Sequence, residues 1–403
     1  QSSVAANYTQ QNDNIVASDA ASGDLYGTSI SVDAVHNLIA IGAPGETSAE
    51  GAVYVYSTTD SGASWGSEAK IVSASGTAGD DFGSVVSLSG DTLAISAPDD
   101  NANAGANTAD SGSVEIWQRV LTQAPSTFTW LYRATLVHTS GGKNFGTDIS
   151  LDGNTLAVTV PGYVNADRSN GAILIYKAVG TNWTLSQTIV TPLELNDPGN
   201  NGWGSKVILR GDYIVTSWPE YNNNKGSVVV FKKNNSTGLF DAAPDVVINP
   251  PELVNNDKFG ASFDIDPLNS GLLPRLVVGA TGRREIFIYD RDTVNNTTQW
   301  INVAGLFPSG TQSNDLFAQS VKIYNNNILV SAPEHNSTVN KSGLVYHFES
   351  INDQWSEVGI YNESQTLNNR FGSAIEISRS NDYYLFIGSP TSTNGHVSNF
   401  IRS

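Results

Sequence analysis

The sequence predicts an all-β fold, a seven-bladed β-propeller of four-stranded antiparallel blades. Three observations carry that reading. One unit recurs seven times, each unit reads as short alternating strands, and no stretch sustains a 3.6-residue period. Radial repetition of small sheets leaves only short protected edges, and it explains seven copies where a pair of sandwiches does not.

The unit opens with an aromatic followed by a small residue. The pairs are Tyr26-Gly27, Phe82-Gly83, Phe145-Gly146, Trp203-Gly204, Phe259-Gly260, Phe317-Ala318 and Phe371-Gly372, spaced 56, 63, 58, 56, 58 and 54 residues apart. A second anchor follows, as in Gly42-Ala-Pro44, Ser96-Ala-Pro98 and Ser217-Trp-Pro219. A third opens with Gly and continues with alternating apolar residues, as in Gly51-Ala-Val-Tyr-Val-Tyr56 and Gly226-Ser-Val-Val-Val-Phe231. Period-2 alternation with β-branched and aromatic residues marks strands. Ser89-Gly90-Asp91, Asp152-Gly153-Asn154 and Asn325-Asn326-Asn327 join the first two strands of their units, where tight hairpins need φ > 0. A fourth strand is expected just after Trp65, Trp130, Trp183, Trp300 and Trp355, and at Asp245-Val-Val-Ile248 in the fourth unit.

The seventh unit has no fourth strand of its own. Asn14-Ile-Val-Ala-Ser18 resembles the fourth strands elsewhere and is expected to complete the last blade. Residues 1–403 thus read as one propeller domain, with 1–20 as the closing strand and repeats starting near 24, 80, 143, 201, 257, 315 and 369.

Aromatic-Gly, then Gly-Ala-Pro, then Gly-Ala-Val-Tyr-Val-Tyr resembles the FG-GAP repeat of the integrin α-subunit head, over residues 14–403. The resemblance implies a ligand-meeting face built from the links between second and third strands. It also implies Ca²⁺ loops of the form D-x-D-x-D-G-x-x-D in the first hairpins. Only Asp264-Ile-Asp266 begins that way, and two carboxylates fall short of the 6–8 oxygens Ca²⁺ takes. The acid-rich stretch from Asp99 to Asp110 has no recognised spacing. No metal or other cofactor is therefore expected, with Asp264 and Asp266 the weak candidates.

Composition narrows the function classes. A hydrophobic fraction of 39% with 37 glycines permits a core. A net charge of −18 with no basic stripe excludes nucleic-acid binding. No cysteine means no disulfide, thiolate ligand or thiol nucleophile. No apolar run approaches the ~20 residues of a membrane helix. Methionine is absent and the chain opens on Gln1, which leads to the expectation of a mature extracellular chain after signal-peptide removal.

Motifs for chemistry are few. Gly62-Ala-Ser-Trp-Gly66 matches G-x-S-x-G but lies between two strands, away from the strand-to-helix elbow that motif needs. Arg210-Gly211-Asp212 sits where other units place a tight turn. The five histidines, at 36, 138, 335, 347 and 396, are scattered along the units in different phases. Sequons occur at Asn7, Asn182, Asn234, Asn235, Asn295, Asn296, Asn336, Asn340 and Asn362, several of them between third and fourth strands, where glycans have room.

In the links between second and third strands, Tyr163, Trp218, Glu220, Tyr221, Arg283 and Arg284 are the candidate binding residues, because Tyr, Trp and Arg favour interface cores. For Trp218 a local hydrophobic plug is an equal reading. The function expected is extracellular, non-catalytic recognition or adhesion by a propeller glycoprotein, with proteins or glycans as partners. The alternatives are a subunit that self-assembles into an extracellular fibre or coat, and a carbohydrate-active enzyme such as a polysaccharide lyase.

Overall fold

A computed structural model describes residues 8–11, 14–101, 111–123, 127–138, 144–164, 171–195, 197, 202–267, 273–294, 297–310, 312, 314–336, 341–363, 368–379 and 384–402. It contains seven sheets, each of four antiparallel strands, the blades of a seven-bladed β-propeller. In the first blade, Ser29–Asp33, Leu38–Ala43, Ala52–Ser57 and Gly66–Val72 pair in that order. Among the described residues, no helix is long and apolar enough to cross a membrane.

The expected two-residue hairpins form. Ser89 pairs with Thr92 and Asp152 with Thr155, and Gly90 and Gly153 lie at φ 59° and 58°. Trp130, Trp183, Trp300 and Trp355 fall inside the fourth strands rather than before them.

The last blade pairs Ala374–Ile377, Tyr384–Ser389, His396–Arg402 and an N-terminal strand. That strand is Tyr8–Gln10, in register Tyr8↔Arg402 and Gln10↔Phe400. The expected stretch, Asn14–Ser18, contributes only one bridge, Ile15↔Val397. The reason is the Tyr8 ring. It is 4% exposed, packs in one apolar cluster with Phe371, Ile375 and Phe400, and lies edge-on to His347 at 5.5 Å. Val16, by contrast, is 45% exposed.

The chain divides into two compact units. One comprises residues 13–209 with 393–397. Its blades pack through apolar clusters, such as Leu38, Val53 and Val55 against Phe82, Val86 and Leu93. The first strand of each blade is a sheet edge whose outward backbone groups need partners. A side-chain oxygen of the preceding blade supplies one. Leu88 N–H donates to Ser31 Oγ, Leu151 N–H to Ser87 Oγ and Leu209 N–H to Ser150 Oγ, each at 2.9 Å. Two residues on, Gly90 N–H donates to Asp33 Oδ2 at 2.6 Å and Gly153 N–H to Ser89 Oγ at 2.9 Å.

A second seam explains the glycine that opens the third strand in six of the seven repeats. Gly51 bridges Phe82 of the next repeat, and a Cβ on Gly51 would lie 2.0 Å from the Phe82 carbonyl oxygen. No side chain fits there, and the φ of 86° suits glycine as well.

The other unit comprises residues 1–12, 210–392 and 398–403. The same edge device recurs with carboxylates: Ile323 N–H donates to Asp264 Oδ2 at 2.8 Å, and Asn325 N–H to Asp266 Oδ2 at 2.6 Å. Asp264 is fully buried. It also pairs with Arg210 Nη1 at 2.6 Å and Arg379 Nη2 at 2.5 Å. Burial alone would raise its pKa, but Arg210, Arg379, Lys322 and the Ile323 N–H outweigh burial and hold the carboxyl well below the usual range.

A depressed carboxyl contributes stability that is complete above about pH 4 and is lost as the pH falls further. Asp264→Asn leaves two guanidiniums without their anion, so it is expected to cost about 3 kcal/mol at pH 7. Urea unfolding from pH 7 to pH 2 checks this: the gap between wild type and variant should close towards low pH.

Candidate functional site

The links between second and third strands differ from blade to blade among the described residues. In the fourth blade the strand Tyr213–Trp218 ends in Pro219-Glu220, and residues Tyr221–Asn224 turn the chain back to Gly226. Asn222, Asn223 and Asn224 sit at φ 51°, 61° and 60°, a left-handed turn. Asparagine tolerates that region because its short polar side chain bonds locally. The first blade makes the same turn with Thr47, Ser48 and Ala49 at φ 48°, 61° and 64°. In the fifth blade the link is a tight turn over 281–284.

Trp218 is 0% exposed, its ring 5.3 Å from that of Tyr221. It fills the space beneath the turn and is therefore the plug, not a contact surface. Tyr221 is half-buried and Glu220 exposed. Arg283 is held by Glu285 Oε2 at 2.5 Å, lies 3.7 Å from Asp257, and donates to the Glu252 carbonyl at 3.3 Å. Arg284 is half-buried at φ 58°. It occupies the place that glycine takes in the other repeats, at Gly51, Gly112, Gly171, Gly226, Gly343 and Gly395.

The two turns are braced by the segment between their blades. Asn256 N–H donates to the Asn223 carbonyl at 3.2 Å, Asn224 Nδ2 to Asn256 Oδ1 at 3.0 Å, and Asp257 faces Arg283. Glu220, Tyr221, Arg283 and Arg284 are thus carried on one connected set of loops. Tyr163 belongs to the other unit, where its ring lies 5.3 Å from that of His138.

The weak metal candidates do not fit Ca²⁺. Asp264 and Asp266 lie in the strand Phe259–Asp266, not in a hairpin, and accept hydrogen bonds from backbone amides of the sixth blade. Asp264 carries two arginines besides. In the other acid-rich stretch, Asp99 lies close enough to Asp81 to help burial push the Asp81 carboxyl up, and 102–110 lie outside the described residues. Among the described residues no group of three His, Cys, Asp or Glu side chains could hold a metal. Arg210 of the Arg-Gly-Asp tripeptide is committed to Asp264 and to the Ile265 carbonyl at 2.5 Å.

One recurring element escaped the sequence reading. Asp24, Asp80, Asp257 and Asp315 each stand two residues before the repeat's aromatic, and all four are buried. Each accepts the backbone N–H three residues earlier, at 2.6–2.8 Å. The signal was there as Asp-x-aromatic in four repeats. Asp315 also meets His335 Nδ1 at 2.7 Å.

Comparison with known proteins agrees with this architecture. Residues 9–56, 65–116 and 300–348 match the family model "FG-GAP repeat". Those three segments carry FG-GAP repeats, within the seven-bladed β-propeller that the sheets form. A solved structure of Saccharomyces cerevisiae Sqt1 is similar in fold, with a TM-score of 0.52, 10% identity, and 98% of each chain covered. No curated protein matches the sequence.

A non-glycine residue in the left-handed region costs roughly 1 kcal/mol or more. Arg284→Gly is accordingly expected to stabilise the protein by about 1 kcal/mol, read as a raised midpoint in denaturant unfolding. A lowered midpoint would show that the Arg284 side chain outweighs its backbone strain.

Proposed function

We propose that this chain is an extracellular, non-catalytic recognition or adhesion propeller whose partner, a protein or glycan, meets the links between second and third strands. The observation that carries this reading is the connected loop set bearing Glu220, Tyr221, Arg283 and Arg284. Its sequence departs from the repeat, while the blades beneath keep to it. Rigid scaffolds with unlike loops are how binding surfaces are commonly built. The test is binding of the purified chain to cell-surface and matrix extracts, with Tyr221→Ala/Arg284→Ala beside it. Loss of about tenfold or more in affinity is expected of paired Tyr and Arg anchors. Unchanged binding would remove the loops from the interface.

Exposure of the sequons supports the extracellular part of the reading. Asn182, Asn235, Asn336 and Asn362 are exposed. Asn234 is half-buried and its amide donates to Asp241 Oδ1 at 3.1 Å, while its carbonyl oxygen accepts the Ser236 and Thr237 N–H groups. Asn295 and Asn296 lie outside the described residues, as do Asn7 and Asn340. Of the overlapping pair, Asn235 is expected to carry the glycan and Asn234 to remain free. Glycopeptide mapping of protein from its native source reads this directly.

A further inference from the structure

The outer strands carry a charged latch that repeats at two blade boundaries and is missing at a third. Between the first and second blades, Glu68 receives Arg119 through Nε at 2.6 Å and Nη2 at 2.9 Å, and the Trp130 indole N–H donates to it at 3.1 Å. Between the fourth and fifth, Asp245 receives Arg291 twice at 3.0 Å and the Trp300 N–H at 2.8 Å. The strand register identifies the counterparts between the fifth and sixth blades. Glu68 is the residue skipped by the bulge opposite Val55 and Tyr56, and Val303 is skipped opposite Ile288 and Tyr289. Arg119 and Ser350 each stand seven residues after the glycine that opens the third strand. Trp355 stands in the place of Trp130 and Trp300. Here the tryptophan is kept, while the acid has become Val303 and the arginine Ser350.

What opens in place of the latch is a cavity of about 430 Å³, within the range of small-ligand sites. Leu273, Ile301, Val303 and the Trp355 ring form apolar walls. Arg275 lies 5.4 Å from the Trp355 ring centre and is neutralised by Asp290, through contacts of 2.6 and 2.8 Å. The Trp355 indole N–H has no hydrogen-bond partner among the described residues. Asp353, exposed at the rim, makes no ion pair among them. Asp292 completes the lining.

We infer that this cavity binds a neutral saccharide. The Trp355 N–H can donate only to an acceptor, which an ammonium or guanidinium cannot be. The Asp353 carboxylate needs a donor and repels anions. A sugar hydroxyl serves as both, and the C–H face of a pyranose matches an apolar wall beside an indole ring. The site goes beyond the loop face already proposed: it lies at the other end of the strand Arg275–Ala280 from Arg283 and Arg284. Loop variants leave it intact.

The test uses the purified full chain on an array of neutral oligosaccharides, with sialylated glycans and chitosan oligomers as anionic and cationic controls. Hits are titrated by tryptophan fluorescence. Saturable binding of at least one neutral glycan is expected. Trp355→Phe, which keeps a ring but removes the donor, should weaken it about tenfold. Val303→Glu/Ser350→Arg rebuilds the latch of the other boundaries, so it should abolish binding without lowering the melting temperature. Absence of any neutral hit, preference for the charged controls, or binding untouched by both variants would each overturn the assignment.

Discussion

Each blade ends in a first strand whose outward N–H groups must find acceptors, and the rest of the molecule depends on how that need is met. The acceptor is a side-chain oxygen two positions apart on the preceding first strand: Ser31 and Asp33, Ser87 and Ser89, Asp264 and Asp266. Because the side-chain period in a strand is two, both oxygens face the same way and lock one register. A slip of one residue would leave buried amides unpaired on one side and turn apolar residues into the gap. The aromatic of each repeat then has a defined seat, and the glycine opening the third strand in six repeats meets the backbone that presses on it.

Against so regular a scaffold, departures are informative. Asp264 replaces a neutral serine in the edge device and calls in two arginines to remain ionised. Arg284 stands where six other repeats have glycine, in a link that also carries Arg283. Val303 and Ser350 replace a carboxylate and a guanidinium that close other boundaries. A propeller can vary such positions because each blade is held mainly by its neighbours, so local loss of a latch is spread over many remaining contacts.

The blade architecture was legible because its determinants are local. Aromatic-Gly, the turn glycines and asparagines, and the alternating third strands all act within a few residues of themselves. Other elements were not legible. Asn14-Ile-Val-Ala-Ser18 resembles the fourth strands of the other repeats and so is the stretch the sequence offers to complete the last blade. The chain instead uses Tyr8–Gln10, since Tyr8 meets His347, Phe371 and Phe400 across more than 330 residues of sequence. The carboxylates Asp264 and Asp266 had the look of a calcium loop, and only Arg210, Arg379 and the amides of Ile323 and Asn325, far away in sequence, show what they bind.

By itself, then, the sequence determined the number of blades, the strands in each and the turns between them, because hydrophobic period and backbone preference are properties of short segments. Tertiary structure alone decided which groups are spent on the fold and which face outward. Trp218 is spent on filling a turn and Arg210 on neutralising Asp264, while Tyr221 and the Trp355 indole N–H remain available. Burial and pairing depend on neighbours brought from other repeats, and no local pattern records which neighbours those will be.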